Sequence, residues 1–429
     1  MSAVVHTDLF NTSSETSSTL LLGFLLLTAY CTGSLLENFG LPRITGYMIT
    51  GLCLGPYFLN FYSSEAIANL NFLNSMALAF IAFCAGGELK MNHIRQNLKS
   101  IMCLIGGVTS TVFFGVSITV LTISSIIPFM VDYPLAIRVA ISALFGVIAV
   151  ARSPSSAFAI IRETKAKGKY TNIILSVTIV MDVLIIVLFG IVISICQIVI
   201  TSDGVLDPIF FLDLLFELFI AIALGFLLGK GIVYLMDKAK MEFPILMTAV
   251  GFLVIKFSHW LGDYFHEIHD VSVNIEPLLM CLAAGFTVQN FSKYGTVFLK
   301  RMDRISLPIY VGFFAVTGAS INVDIIKTSW ALGVVIVVVR IALVYVGSYL
   351  SGLIAHDPPR IYRHTWLGFI TQAGVSIGLL SEIARRFPEI GMPIQTILIA
   401  SITVNQIVGP VAFKYALHKV GEANGKGIR

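Results

Sequence analysis

The sequence predicts an all-α membrane protein with thirteen transmembrane helices, and three features of the chain carry that prediction. Of the 429 residues, 57% are hydrophobic and only 12% are charged, with a mean hydropathy of +0.90. A soluble protein carries about 25% charged residues. Apolar runs of about 20 residues, the length that crosses a bilayer as a helix, recur along the whole chain. Basic residues cluster between alternate runs, as described below.

The apolar runs set the approximate bounds of the spans. We expect them at 18–37, 42–58, 71–87, 100–127, 134–161, 171–200, 208–235, 243–260, 275–289, 305–321, 328–354, 363–384 and 391–416.

The basic residues predict the orientation of the chain. With the N-terminus outside, 21 of the 28 Lys and Arg residues fall in the cytoplasmic loops and the C-terminal tail. The outer loops hold three, Lys327, Arg385 and Arg386. This bias is the positive-inside pattern. We therefore expect an integral protein of the cell (inner) membrane, with its N-terminus outside and its C-terminus in the cytoplasm.

Several other classes of protein are not expected. The polar N-terminus lacks the basic region of a cleaved signal peptide, and about ten polar residues after Lys419 predict no soluble C-terminal domain. No nucleotide-binding motif is present. The basic residues follow the membrane loops and do not form a surface for nucleic acid. No segment combines a nucleophile with an acid and an orienting group, as an enzyme's catalytic site would. The six cysteines lack metal or disulfide spacing. We expect neither an enzyme nor a cofactor.

Two spans contain polar interruptions. Span five reads ARSPSS at residues 151–156, where Pro154 removes a helical hydrogen bond and the serines can satisfy freed backbone groups. Span twelve reads TQAGVS at residues 371–376. Its helix-interrupting candidates are Gln372, Gly374 and Ser376. Each interruption taken alone is equally compatible with an ordinary kink flanked by small packing residues.

The interruptions occupy matching positions in the chain. Residues about 18–200 and 243–416 each hold six spans, with a linker helix at about 208–235, and each interruption is in the fifth span of its unit. An odd linker span inverts the second unit relative to the first. Interrupted helices at matching positions of two inverted repeats mark the site of an ion transporter. Their opposed ends would bring partial charges of both signs to mid-membrane.

Three charged residues are placed inside the bilayer, where charge is costly and usually functional. Asp182 lies in TIVMDVLII (178–186) of span six, Arg340 lies in span eleven, and Arg152 lies in the first interruption. Arginine keeps its proton, so Arg340 is interpreted as a fixed counter-charge. Asp182 is either an ion ligand that exchanges its proton or a fixed salt-bridge partner of Arg340 or Arg152.

An alkali cation needs several hard oxygen ligands. Thr178 lies one turn before Asp182 on the same helix face, and Ser153 and Ser155 offer hydroxyls from the first interruption. The spans hold no cluster of His or Cys, so no metal beyond Na⁺ or K⁺ is expected. Polar residues in the outer run 259–270 are interpreted as a solvated loop, and Glu217 and Glu276, near span ends, as structural.

Several segments, in this order along the chain, carry a family resemblance. They are GLPRITGYMITGLCLGP (40–56), LAFIAFCAGGELKM (78–91), SVTIVMD (176–182), LPIYVGFFAVTGASINV (307–323), Arg340, WLGFITQAGVSIGLL (366–380) and NQIVGPVAFKYALHKVGE (405–422). From about residue 20 to residue 421, the chain resembles the monovalent cation/proton antiporter superfamily, near its Kef-like and NapA-like branches.

The resemblance implies thirteen spans, inverted repeats with crossed discontinuous helices, and a homodimer. Core helices at about 100–200 and 328–416 would move against dimerisation helices at about 18–87 and 208–321. It also implies that Asp182 is the ion-binding carboxylate, that Thr178 helps to coordinate the ion and that Arg340 neutralises the core. The chain departs from the family at two positions: Met181 replaces an Asp, Asn or Gln, and Arg152 replaces a small or neutral residue.

These features predict a secondary-active antiporter that exchanges Na⁺ or K⁺ for H⁺ by elevator-type alternating access, with Asp182 binding either ion in turn. Met181 supplies no second carboxylate, so one-for-one electroneutral exchange is expected. Two alternatives stay open. One is a proton-coupled transporter of anions or organic acids that uses Arg152 and Arg340. The other is a non-transporting membrane sensor in which Arg152 pairs permanently with Asp182.

Overall fold

The computed structural model describes residues 14–201, 208–238, 277–372 and 374–423, with isolated residues between 246 and 260. Within these ranges the chain folds entirely into helices and connecting turns, without a β-strand. Half of the predicted span 243–260, the polar positions of the run 259–270, and Glu276 lie outside the described residues.

The helices are numbered in chain order over the described ranges. They are α1 (Ser14–Asn38), α2 (Arg43–Leu54), α3 (Ser64–Asn69), α4 (Asn71–Glu88), α5 (Met91–Gln96), α6 (Leu98–Ile123), α7 (Leu135–Val150), α8 (Pro154–Thr164), α9 (Lys169–Thr201), α10 (Pro208–Lys238), α11 (Pro277–Asn290), α12 (Gly295–Ala319), α13 (Val323–Ala355), α14 (Pro359–Tyr362), α15 (Gly374–Arg386) and α16 (Pro388–Val420). Short 3₁₀ turns lie at Pro128–Met130 and Thr365–Phe369.

Six helical segments in the described chain are long and apolar enough to cross a bilayer. They are Leu98–Ile123, Leu135–Thr164, Lys169–Ile200, Phe216–Lys238, Trp330–Ala355 and Pro388–Val420. One helix is longer than the sequence pattern indicated: α12 begins at Gly295, ahead of the expected start at 305. Lys300, Arg301 and Arg304, expected in a loop, lie on its first turns, because a helix can continue into the charged membrane surface.

The long helices pack in two sets. The first set consists of α1, α2, α4, α10, α11 and α12, and the second of α6, α7, α8, α9, α13, α15 and α16. The sets meet where α8 touches α2 and α4, where α9 touches α10, and where α16 touches α2. The interrupted spans and the helix of Asp182 therefore belong to the same set.

Glycines bring helices of the first set into backbone contact. A Cβ at Gly51 on α2 would lie 1.9 Å from the Ala315 carbonyl oxygen on α12, and a Cβ at Gly318 on α12 would lie 2.1 Å from the Met48 carbonyl oxygen. Helices in lipid have no hydrophobic driving force for association, so close contacts of this kind hold them together instead. Only glycine fits at these crossings.

We expect Gly51→Ala to destabilise the protein by about 1–3 kcal/mol, because its methyl group would overlap a backbone carbonyl that cannot rotate away. The measurement is the midpoint of thermal unfolding of the purified protein in detergent. Gly106→Ala is the matched control, because nothing lies within 4 Å of a Cβ at Gly106 and alanine favours a helix. An equal midpoint for the two variants would contradict the close packing of α2 on α12.

Candidate ion-binding site

The interruption of span five is a complete end and restart of the helix. α7 ends at Val150, residues 151–153 are extended, and α8 begins at Pro154. Pro154 occupies the first helical position, where its missing N–H costs no hydrogen bond. Ser153 caps α8, because its hydroxyl accepts a hydrogen bond from the Ser156 N–H at 3.3 Å. The sequence predicted this interruption, but the helix resumes earlier than the polar run 151–156 suggested.

Span twelve is also interrupted, but the part before its break is shorter than the part before the break in span five. The 3₁₀ turn Thr365–Phe369 is followed by residues 370–372, which belong to no helix, and α15 begins at Gly374. Ser376 lies in the first turn of α15 and is fully buried.

Hydrogen bonds join the two interruptions. The Ser153 N–H donates to the Thr371 carbonyl at 3.1 Å, and Gln372 Nε2 donates to the Ile148 carbonyl at 3.1 Å. Asn405 on α16 holds this arrangement, because its Nδ2 donates to Gln372 Oε1 at 2.8 Å. The breaks of the two interrupted spans are thus in direct contact, and this contact is called the crossing.

Arg340 neutralises the carbonyl ends of both interrupted spans. Its guanidinium donates to Ala149 O at 2.7 Å and Ala151 O at 3.2 Å at the C-terminal end of α7. It also donates to Phe369 O at 3.3 Å and Ile370 O at 2.7 Å at the end of the 3₁₀ turn. The side chain is 1% exposed. A helix end leaves carbonyls without partners and carries partial negative charge. In the described structure the fixed charge therefore compensates backbone dipoles rather than a carboxylate.

Arg152 is buried between the two interruptions without a counter-charge. It is 3% exposed, and its guanidinium lies 3.9 Å from the centre of the Phe369 ring. Its Nε and Nη1 have no hydrogen-bond partner, and no carboxylate of the described chain pairs with it. Its guanidinium is thus neither open to solvent nor ion-paired with Asp182 in this structure.

The helix of Asp182, α9, packs along α7 and touches α8, α15 and the 3₁₀ turn. Gly368 permits the last contact, since its Cβ would lie 2.8 Å from Ile174 Cδ1. Thr178 is 1% exposed, and its hydroxyl donates to the Ile174 carbonyl at 2.8 Å. Asp182 is partly exposed, whereas the neighbouring Met181 is buried.

Hydroxyl groups line the start of α8. Ser153 Oγ lies 3.0 Å from Ser155 Oγ and 3.1 Å from Ser156 Oγ, and all three serines are buried. The structure therefore brings Ser153 and Ser155 to the crossing, together with Arg152 and Arg340. Among the described residues, no three His, Cys, Asp or Glu side chains converge to hold a metal ion.

Asn405 was not among the site residues predicted from the sequence. This residue is fully buried in the middle of the apolar helix α16, and it positions Gln372 in the second interruption. An amide inside a membrane span is a functional signal in its own right. The position of this amide within an apolar span was therefore the sequence feature that could have identified Asn405.

Most of the chain matches the model of a known family. The family model described as "Sodium/hydrogen exchanger, transmembrane" matches residues 23–418. The chain belongs to the sodium/hydrogen exchanger family. It is therefore an integral membrane protein of the monovalent cation/proton antiporter superfamily, as the sequence predicted.

Relatives of similar length lie in this family. "Probable Na(+)/H(+) antiporter 3" of Methanocaldococcus jannaschii is 23% identical over 391 residues, which cover 89% of this chain and 92% of the relative. "Na(+)/H(+)-K(+) antiporter GerN" of Bacillus cereus is 23% identical over 377 residues, which cover 84% of this chain and 89% of the relative. These relatives are transporters by name.

A solved structure shares the fold. The sodium proton antiporter MjNhaP1 of Methanocaldococcus jannaschii superposes with a TM-score of 0.72 over 95% of this chain and 98% of that chain, at 18% sequence identity. Its structure at pH 8 gives a TM-score of 0.65, with coverage of 94% and 95% at 17% identity.

We expect Arg340→Gln to lower the free energy of unfolding by at least about 3 kcal/mol, because several buried carbonyls would lose their partner together. Arg340→Lys should retain part of this stability, since an ammonium group reaches fewer of these carbonyls. Thermal unfolding in detergent measures both variants. Arg138→Gln, at the partly exposed start of α7, is the matched control. Equal losses for Arg340→Gln and Arg138→Gln would refute the neutralising role.

Proposed function

We propose that this chain is a secondary-active antiporter that exchanges Na⁺ or K⁺ for H⁺ across the cell (inner) membrane. The observation that carries the proposal is the contact between the two interrupted spans, in a chain that belongs to an exchanger family. Two related proteins are named for Na⁺/H⁺ exchange, and one of these names adds K⁺. Both cations remain within the proposal because the same hard oxygens bind either ion.

The proposed architecture has thirteen spans in two inverted repeats, with the N-terminus outside. Helix packing supports it. When each helix is replaced by its equivalent in the other repeat, one observed pair of neighbouring helices becomes another observed pair. The pair α2–α12 becomes α11–α4, the pair α7–α9 becomes the 3₁₀ turn Thr365–Phe369 with α16, and α6–α13 becomes itself. The close glycine contacts follow the same exchange: Gly51 and Gly318 join α2 to α12, and Gly86 and Gly285 join α4 to α11.

The proposed domains are a core, at about 100–200 and 328–416, and dimerisation helices at about 18–87 and 208–321. The two packing sets of helices support this division. The core would move against the other helices in an elevator-type cycle. We further propose that the protein is a homodimer, as its resemblance to the superfamily implies.

At the proposed site, Asp182 binds either a proton or a cation. Thr178 donates its only hydroxyl proton to Ile174, so the lone pairs of its oxygen stay free to face a cation. Ser153 and Ser155 would supply further oxygens from the start of α8. Since Met181 is buried and brings no second carboxylate, we propose one cation exchanged for one proton.

One observation favours a second candidate function. A proton-coupled anion or organic-acid transporter needs cationic donors in the core, and Arg152 has unpartnered donors there. Arg340 cannot be its second donor without releasing the carbonyls of the two interruptions.

The first transport prediction concerns Asp182. Asp182→Asn is expected to abolish cation-dependent proton release, because an amide neither exchanges a proton nor neutralises a bound cation. The protein is reconstituted in proteoliposomes with a pH-sensitive dye trapped inside, and Na⁺, K⁺, Li⁺ and choline pulses are compared.

Asp132→Asn is the matched control, because Asp132 lies in an exposed turn between α6 and α7. It should exchange cations at the wild-type rate. Release that survives Asp182→Asn would overturn the site assignment. A wild-type protein that responds to an inward anion gradient and to no alkali cation would favour the second candidate function.

The second transport prediction concerns stoichiometry. With a single exchanging carboxylate, a Na⁺ or K⁺ pulse should produce no sustained current in solid-supported membrane electrophysiology, although the dye reports proton movement under the same gradients. A steady current that Asp182→Asn removes would show electrogenic exchange and require a second proton carrier.

A further inference from the structure

The buried guanidinium of Arg152 lies close to other positive charges, and no negative group among the described residues balances it. Arg340 lies close by, since it donates a hydrogen bond to the carbonyl of the adjacent Ala151, and its charge repels that of Arg152. The N-terminal end of α8, two residues further along the chain, adds partial positive charge. Arginine does not lose its proton in a protein. A charge in this position is stable only with a negative partner.

The described protein supplies only part of what this guanidinium needs. The Phe369 ring covers one face of it, at 3.9 Å, and no acceptor meets Nε or Nη1. A partner therefore has to approach in the plane of the N–H donors. At the start of α15, after the other interruption, Ser376 Oγ is also fully buried and lacks a hydrogen-bond partner among the described residues.

We propose that the crossing of the two interrupted spans binds a small monovalent anion of chloride size, with Arg152 as its principal donor. Guanidinium N–H groups, a serine hydroxyl and the start of a helix are the groups that bind anions in proteins. A single negative charge can come from dissolved chloride or from the carboxylate of Asp182 after the core has rearranged. The chemistry is the same for both sources.

The anion completes the charge balance of the core, a consequence that rests on the exchange reaction proposed above. A proton or a cation at Asp182 neutralises the carboxylate, and the backbone carbonyls compensate Arg340. Arg152 then leaves the loaded core with one uncompensated positive charge. A bound anion removes this charge and makes the loaded core easier to carry through the membrane.

The test is direct binding of radioactive chloride to the purified protein, with choline as the only cation. Bound ³⁶Cl⁻ is measured by scintillation proximity at constant ionic strength with gluconate as the replacement anion. The wild type should bind chloride saturably. Arg152→Gln should weaken binding at least tenfold, whereas Arg138→Gln, at the other end of α7, should bind as the wild type does.

The remaining arms separate the two sources of the anion. Chloride binding by Asp182→Asn, with none by the wild type, would overturn chloride as the native occupant and show that the Asp182 carboxylate takes its place beside Arg152. No binding by wild type or Asp182→Asn would overturn the proposal, as would binding that Arg152→Gln leaves unchanged. Elution of Arg152→Gln as a single wild-type-like peak in gel filtration excludes misfolding. Because no alkali cation is present, failure of the antiport proposal would leave these results intact.

Discussion

One buried guanidinium makes the crossing of the interrupted spans possible. A helix that stops inside a bilayer leaves carbonyls without partners, and lipid offers no donors to replace them. Arg340 satisfies carbonyls on both sides of the crossing, and Gln372 adds the Ile148 carbonyl. Without these donors, the carbonyls at both interruptions would be buried without hydrogen-bond partners. The presence of Ser153, Thr371 and their neighbours at mid-membrane thus depends on a side chain from α13.

The same interaction determines which charges are left for ion binding. The hydrogen bonds of Arg340 go to the carbonyls of helix ends. In the proposed cycle, Asp182 binds a proton or a cation in turn. Arg152 is the additional charge, because it lies at the crossing with unpartnered donors. An anion at that position would let the core bind a cation without acquiring a net charge.

Much of this arrangement could be predicted from the sequence, and the features that could not be predicted were hidden for physical reasons. Pro154 marked the first interruption, and the intramembrane position of Arg340 marked it as a fixed charge. The partners of Arg340 could not be inferred, because they are backbone carbonyls, which every residue carries. Gln372 was predicted at the second interruption, but its contact with Asn405 depends on how α16 packs. The orientation of Arg152 on Phe369 likewise follows from the crossing itself.

The contacts between the two packing sets differ from those within them. Inside the first set, glycines such as Gly51 hold backbones in contact, so sliding would cause overlap. Across the sets, α8 is held by polar groups: Arg162 lies 3.1 Å from Glu88 and also pairs with Asp303, and Glu163 accepts the Arg43 N–H at 2.9 Å. A cavity of about 480 Å³, partly lined by these groups, lies beside them. Water can replace such polar contacts as they open. In the proposed elevator movement, the plane of sliding therefore passes between α8 and the helices α2, α4 and α12.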